Sequence, residues 1–272
     1  MRLLIAISVL LMAACSGNEE PAVEDVPPPA PPAGPKEWAL VWQDEFNYTG
    51  KPDPNKWGYD LGGSGWGNNE LQFYTDSEKN ARVEDGRLII EALRETIGTR
   101  NYTSARLVSR TKGDWTYAKV EARAKLPGGR GTWAAIWMLP TDWAYGSWPR
   151  SGEIDIMEHV GFDEGRVHGT VHTDAFNHTK NTQQGKSVMV NDALTAYHIY
   201  SAEWLASEIV FKIDGVPYFT FRNTGGIAYW PFDQRFHLLL NIAIGGSWGG
   251  LRGVDDNIFP QRMEIDYVRV YQ

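Results

Sequence analysis

The sequence predicts an all-β protein built as a large two-sheet sandwich, and three observations carry that expectation. Short apolar or alternating runs recur along the chain, separated by clusters of Gly, Pro, Asn and Asp. No segment sustains an amphipathic helical period with caps beyond a turn or two. No internal repeat is present, so the strands belong to one domain.

The elements follow in chain order. Met1-Arg2 is a positive start, and Leu3 to Met12 is an almost unbroken apolar run. That run is too short to span a bilayer but suits the apolar stretch of a secretory signal. Ala13-Ala14-Cys15 comes next, and small residues directly before a Cys resemble a bacterial lipobox, in which the thiol is lipidated and becomes the new N-terminus. Residues 1–14 are therefore expected to be a signal peptide and Cys15 a lipid anchor, held stably because several acyl chains bind where one is marginal. The protein would be exported and tethered to a bacterial membrane, at the outer membrane or cell surface. The sequons at Asn47, Asn101 and Asn177 are discounted on that ground.

Residues 15–37 are acidic and Pro-rich, ending in Pro27-Pro28-Pro29-Ala30-Pro31-Pro32-Ala33-Gly34-Pro35. No core can be built from this, and it reads as a semi-rigid tether. The folded domain is expected over 38–272. Its strand signals include Leu88–Ala92, Lys119–Ala124, Ile209–Ile213, His237–Ile242 and Met263–Tyr271, punctuated by Asp85-Gly86, Pro127-Gly128-Gly129 and Asp214-Gly215.

Composition narrows the function. The formal net charge of the 272-residue chain is −8, which argues against a nucleic-acid partner, since that needs a basic footprint. Hydrophobic residues make up 42%, too many for a disordered chain. With 12 Trp, 12 Tyr and 10 Phe, the chain has either a heavy aromatic core or flat surfaces for a ring-shaped ligand. A single Cys allows no intrachain disulfide and no Cys-based zinc site.

The chemistry concentrates in Glu153-Ile154-Asp155-Ile156-Met157-Glu158. On a regular strand Glu153 and Asp155 share a face, while Glu158 points to the other. A β-bulge near Ile156 or Met157 would bring Glu158 back beside them, and bulges are common next to active sites. Three acids on one face repel, and the crowding pushes their pKa values apart, leaving one carboxylate ionised and another protonated. A close pair of this kind favours double displacement with retention at a sugar's anomeric carbon. An exposed acidic face or a calcium site fits the spacing as well.

This hexapeptide resembles the signature of the laminarinase-like branch of glycoside hydrolase family 16. The similarity runs through Trp66–Thr75, Gly131–Pro140, Asn241–Gly250 and Gln261–Tyr271. The resemblance implies a β-jelly-roll (concanavalin-like) sandwich with an open concave substrate cleft. It implies Glu153 as nucleophile, Glu158 as acid/base and Asp155 as the residue that tunes the nucleophile. It also implies a cleft lined by Trp133, Trp137, Trp148 and Trp248, with Asn69, Glu70 and Arg106 as polar partners and His172 beside the acid/base. Catalysis would need no cofactor. A structural calcium at Glu45, the backbone of Gly86 and Asp266 is expected from the same resemblance. Trp57 and Trp204 are left to the core.

Two further patterns carry less. Gly245-Gly246-Ser247-Trp248-Gly249 has the spacing of a nucleophile elbow, but no His follows His237 and no helix start follows the Ser. His168 and His172 lack the adjacent Glu that a zinc protease needs. The expected function is hydrolysis of internal β-1,3 bonds in laminarin-type glucans by a monomeric enzyme whose partners are the polysaccharide and, through the anchor, a membrane. Alternatives are a hydrolase or transglycosylase for mixed-linkage β-glucan or a marine galactan, and a non-catalytic carbohydrate-binding lipoprotein.

Overall fold

A computed structural model describes residues 37–272. The signal, Cys15 and tether expectations lie outside the described residues. In chain order the strands are β1 (Leu40–Asp44), β2 (Gly58–Tyr59), β3 (Gln72–Tyr74), β4 (Ala81–Glu84), β5 (Arg87–Ala92) and β6 (Tyr102–Ser104). Next come β7 (Arg106–Val108), β8 (Asp114–Trp115), β9 (Lys119–Lys125), β10 (Thr132–Pro140), β11 (Glu153–Val160) and β12 (Arg166–His172). The last are β13 (Gln184–Met189), β14 (His198–Trp204), β15 (Glu208–Ile213), β16 (Val216–Arg222), β17 (Phe236–Ile244) and β18 (Gln261–Tyr271).

They form two eight-stranded antiparallel sheets and a small parallel pair, β3 with β6. One sheet runs β16-β15-β14-β9-β18-β5-β4, with β1 also on β18. The other runs β13-β12-β11-β10-β17-β7-β2, with β8 also on β17, and carries the acidic hexapeptide. Alternation explains the packing. In β9, Val120, Ala122 and Ala124 are buried while the flanking charged residues are not, so one face meets the core. By contrast every residue of β17 is buried: one face belongs to the core and the other lies beneath a wall of loops.

The turn signals resolve differently. Asp85-Gly86 and Asp214-Gly215 both have positive φ at each residue and close the two-residue hairpins β4–β5 and β15–β16, as type I′ geometry requires. Pro127-Gly128-Gly129 is not a hairpin; it carries the chain from β9 in one sheet to β10 in the other. Between the sheets lie Phe46, Tyr200, Phe211, Phe232 and Phe236, all fully buried, each worth about 1.5–3 kcal/mol relative to exposure. Trp57 and Trp204 are core residues too, their indole N–H groups donating to Asp44 at 2.9 Å and to the Phe232 carbonyl at 3.0 Å. Among the described residues no helix is long and apolar enough to cross a membrane.

The calcium expectation finds no support in the geometry. Both oxygens of Glu45 accept from Arg269, at 2.7 and 2.9 Å, and Asp266 is paired with Arg123 at 2.5 Å. Two guanidinium charges on the carboxylates that would bind a dication make these residues a poor fit.

Candidate active site

The floor of the site is built by register. Trp137 of β10 faces Asp155, and the next residue, Ile136, faces Met157, so Ile156 is the extra residue of a bulge. On the other side Asp155 faces Thr170 and Glu158 faces His168, leaving Gly169 opposite both bulged residues. Ile154, Ile156 and Met157 all turn into the core, which returns Glu158 to the face of Glu153 and Asp155. Gly169 is required here: a Cβ on it would lie 2.3 Å from the Tyr218 hydroxyl.

Across the sheet, Glu158 lies opposite Ala135, Ala135 opposite Asn241, and Asn241 opposite Arg106. The small Ala135 keeps the floor low between the polar groups. Loops raise walls around it and enclose a cleft of about 380 Å³, within the range of ligand sites.

All three acids line this cleft, as do Glu70, Arg106, Trp133, Trp137 and Trp148. Two of the tryptophans do more than present a ring. The indole N–H of Trp148 donates to Glu153 Oε2 at 3.0 Å, and that of Trp133 donates to Glu158 Oε1, also at 3.0 Å. Trp137 donates to Asn241 at 2.7 Å, and the Arg106 guanidinium sits over both the Trp66 and Trp137 rings. Arg106 is also ion-paired with Asp60. Glu70 is buried and accepts from Gln72 at 2.6 Å and from the Tyr74 hydroxyl at 3.3 Å, and Asn241 donates to that hydroxyl in turn.

Three expected residues are not among those lining this cavity. Asn69 has φ +58 and turns its side chain to Ser247, tying two wall loops together. Trp248 packs edge-on against Trp133 and His168, so it braces a cleft-lining ring, and Ser247 donates to the Asn68 carbonyl. His172 is buried and lies beside the other end of the acid row. Its Nε2 is 3.4 Å from Asp155 and 3.8 Å from Glu153, because the β11–β12 register sets it opposite Glu153, with His168 opposite Glu158.

The cleft also gains residues that sequence reasoning did not single out. Trp66, Asn68 and Asn241 lie within the segments that carry the family resemblance, but Trp143, His178 and Thr179 carried no signal. The last two sit on the loop after β12. Asn177 anchors it by donating to the Thr173 and Asp174 carbonyls, and His178 packs 4.8 Å from the Trp148 ring.

Burial is the main force on the acids. It pushes the carboxyls of Glu153, Asp155 and Glu158 each up to about 8. The negative charge of Asp155 raises both glutamates further, while His172 and the two indole N–H groups pull them back. The cluster therefore titrates as a unit and keeps a proton near neutral pH. Folded-state values lie above the unfolded ones near 4, so the native state retains protons that the unfolded chain releases. The cluster's contribution to stability is thus full below about pH 4 and is lost as pH rises towards 8. Asp155→Asn, which keeps the shape and removes a charge, is expected to raise the melting temperature more at pH 8 than at pH 5. Equal shifts at both pH values would contradict the buried-charge account.

One buried and two half-buried carboxylates, the latter gripped by indoles on the floor of an aromatic cleft, are the apparatus of a glycoside hydrolase. Residues 68–269 match the profile of Glycosyl hydrolases family 16. The chain belongs to that family. It is 56% identical over 244 residues to a β-glucanase of Rhodothermus marinus, covering 86% of this chain and 85% of that one. Among solved structures, the laminarinase from Rhodothermus marinus superposes with a TM-score of 0.86 over 87% of this chain and 98% of its own, at 56% identity. SCLam, a non-specific endo-β-1,3(4)-glucanase, does so with a TM-score of 0.84 over 88% and 92%, at 46% identity. The fold is the jelly roll of these enzymes.

Proposed function

We propose that this protein is a retaining endo-glucanase that hydrolyses internal β-1,3 bonds of laminarin-type glucans. The observation that carries it is the bulged Glu153/Asp155/Glu158 row on the cleft floor of a family 16 chain. Ionised Glu153 attacks the anomeric carbon, and the departing glycosidic oxygen takes the proton of Glu158. Glu158, now a carboxylate, accepts a proton from water as that water attacks the same carbon and releases Glu153. Asp155 holds Glu153 in place, and His172 flanks both from the adjacent strand.

Arg106 is the one cation among the residues lining the cleft, and Asp60 neutralises it. That favours a neutral glucan over a sulfated galactan. Kinship to a β-1,3(4)-glucanase supports mixed-linkage glucan as a second substrate. The test is to incubate the protein separately with laminarin, mixed-linkage β-glucan and agarose, and to follow oligosaccharide products and their anomeric configuration at first release. Short oligosaccharides from laminarin with β configuration support the proposal; laminarin left intact refutes the substrate, and first-formed α products refute retention.

The Trp148 N–H favours the charged form of Glu153, the form that attacks. Trp148→Phe keeps a ring and removes the donor. A hydrogen bond to a charge is worth about 1.5–3 kcal/mol, so kcat is expected to fall by about 10–100-fold, with the rise of activity moving to higher pH. A loss of rate with an unmoved pH profile would mean that Trp148 acts by packing alone. Anchoring is also part of this reading: Cys15 is lipidated at an exported surface, and a fatty-acid label lost in Cys15→Ala is the expected result.

A further inference from the structure

We propose that Glu153, Asp155 and His172 form a binding site for a zinc-type divalent cation, and that the bound ion is a reversible, competitive inhibitor of the enzyme. The three donor atoms lie within 4.8 Å of one another. The separations from His172 Nε2, 3.4 Å to Asp155 Oδ2 and 3.8 Å to Glu153 Oε1, are close to the edges of a tetrahedron around one ion. With bonds of about 2.0–2.2 Å to nitrogen and oxygen, neighbouring ligands sit about 3.3–3.6 Å apart.

These atoms are not spent elsewhere. Asp155 is 3% exposed, and its Oδ2 is buried without a hydrogen-bond partner, as is Nδ1 of His172. Nε2 of His172 faces two carboxylate oxygens, an arrangement that holds a proton or a cation between them. A metal ion takes the place of that proton. The donors are also held rigidly. His172 and Glu153 are directly paired on adjacent strands, and Asp155 lies two residues along the same face, so little freedom is lost on binding.

Glu153 and Asp155 both line the cleft, so a water molecule can complete the coordination from that side. The donor set selects the ion. One imidazole and two carboxylates suit Zn²⁺, whereas Mg²⁺ and Ca²⁺ ask for six or more oxygens. Once bound, the ion holds the lone pair with which Glu153 would attack and occupies the place of the sugar ring.

The experiment titrates Zn²⁺ into the Glu158→Gln variant by calorimetry in a non-coordinating buffer. This variant keeps all three donors and requires no turnover, so the result does not depend on which glucan is cut. One saturable ion per chain is expected, with Mg²⁺ giving no binding at the same concentration. Adding a β-1,3-gluco-oligosaccharide should weaken Zn²⁺ at least tenfold. Glu158→Gln/His172→Asn should bind at least tenfold more weakly, with its circular dichroism unchanged. On the unmodified enzyme Zn²⁺ should raise KM and leave kcat, with full recovery on adding a chelator. Absence of saturable binding, equal affinity in a folded double variant, or a fall in kcat at saturating substrate would each overturn the proposal.

Discussion

Glu153→Gln is expected to lower kcat on laminarin by about 10⁴-fold or more, because removing a nucleophile stops a mechanism whose groups act as one unit. The amide has nearly the same size and still accepts from the Trp148 N–H at its oxygen. Loss of activity therefore reports the lost electron pair and not a rearranged cleft. Chemical rescue makes the assignment specific. A small anion such as azide, admitted by Glu153→Ala, should attack an activated β-glycoside from the vacated side and give the α-glycosyl azide. Rescue with the β product, or a Glu153→Gln variant within tenfold of the parent, would remove Glu153 from the nucleophile's role.

Glu158→Gln is expected to behave differently, because its cost depends on the leaving group. General acid–base help is worth about 10²–10⁴-fold, and that loss should appear in full on laminarin, whose departing alkoxide needs a proton. An aryl glycoside that departs without protonation should form the glycosyl-enzyme at nearly the parent rate, then stall, because water lacks its base. Azide should release the stalled intermediate as the β-glycosyl azide, the opposite anomer from the Glu153→Ala product. The pH dependence has a definite sign. Glu158 must be protonated to act first, and its carboxyl is pushed up to about 8 by burial and by the charge of Asp155. For the parent, kcat/KM on laminarin should fall as pH rises through that region, and the variant should lose this limb. Equal damage on both leaving-group classes would argue that Glu158 is structural.

The separation between these two residues shows what could be read without coordinates. Period-two patterning places Glu153 with Asp155 and sends Glu158 away, so a bulge is a necessary inference if the three act together. Ile156 is the extra residue, and the aliphatic Ile156-Met157 pair can fill the core on both bulged positions. The chemistry of the row was legible because it lies on one strand, where local geometry decides which side chains are neighbours.

The aromatic cleft was legible only in part. Trp133 and Trp137, four apart on one strand, share a face by the same rule and do line the cleft. The rule does not reveal that Trp133 and Trp148 hold the two glutamates through their N–H groups, since Trp148 reaches Glu153 from a loop. Nor does it separate Trp248, which buttresses Trp133, from the tryptophans that line the cavity. Trp143 and His178 come from loops whose paths depend on contacts far along the chain.

What the sequence determined by itself is therefore the all-β class, the hairpins at Asp85-Gly86 and Asp214-Gly215, and the three acids with their bulge. Each follows from backbone preferences and side-chain alternation over a few residues. Long-range packing, by contrast, sets His172 beside Glu153 and brings Arg269 and Arg123 onto the acids expected to bind calcium. The same packing selects which indoles grip carboxylates. These outcomes depend on the register of neighbouring strands and on where the loops close over the sheet. A one-residue change in either would exchange one partner for another.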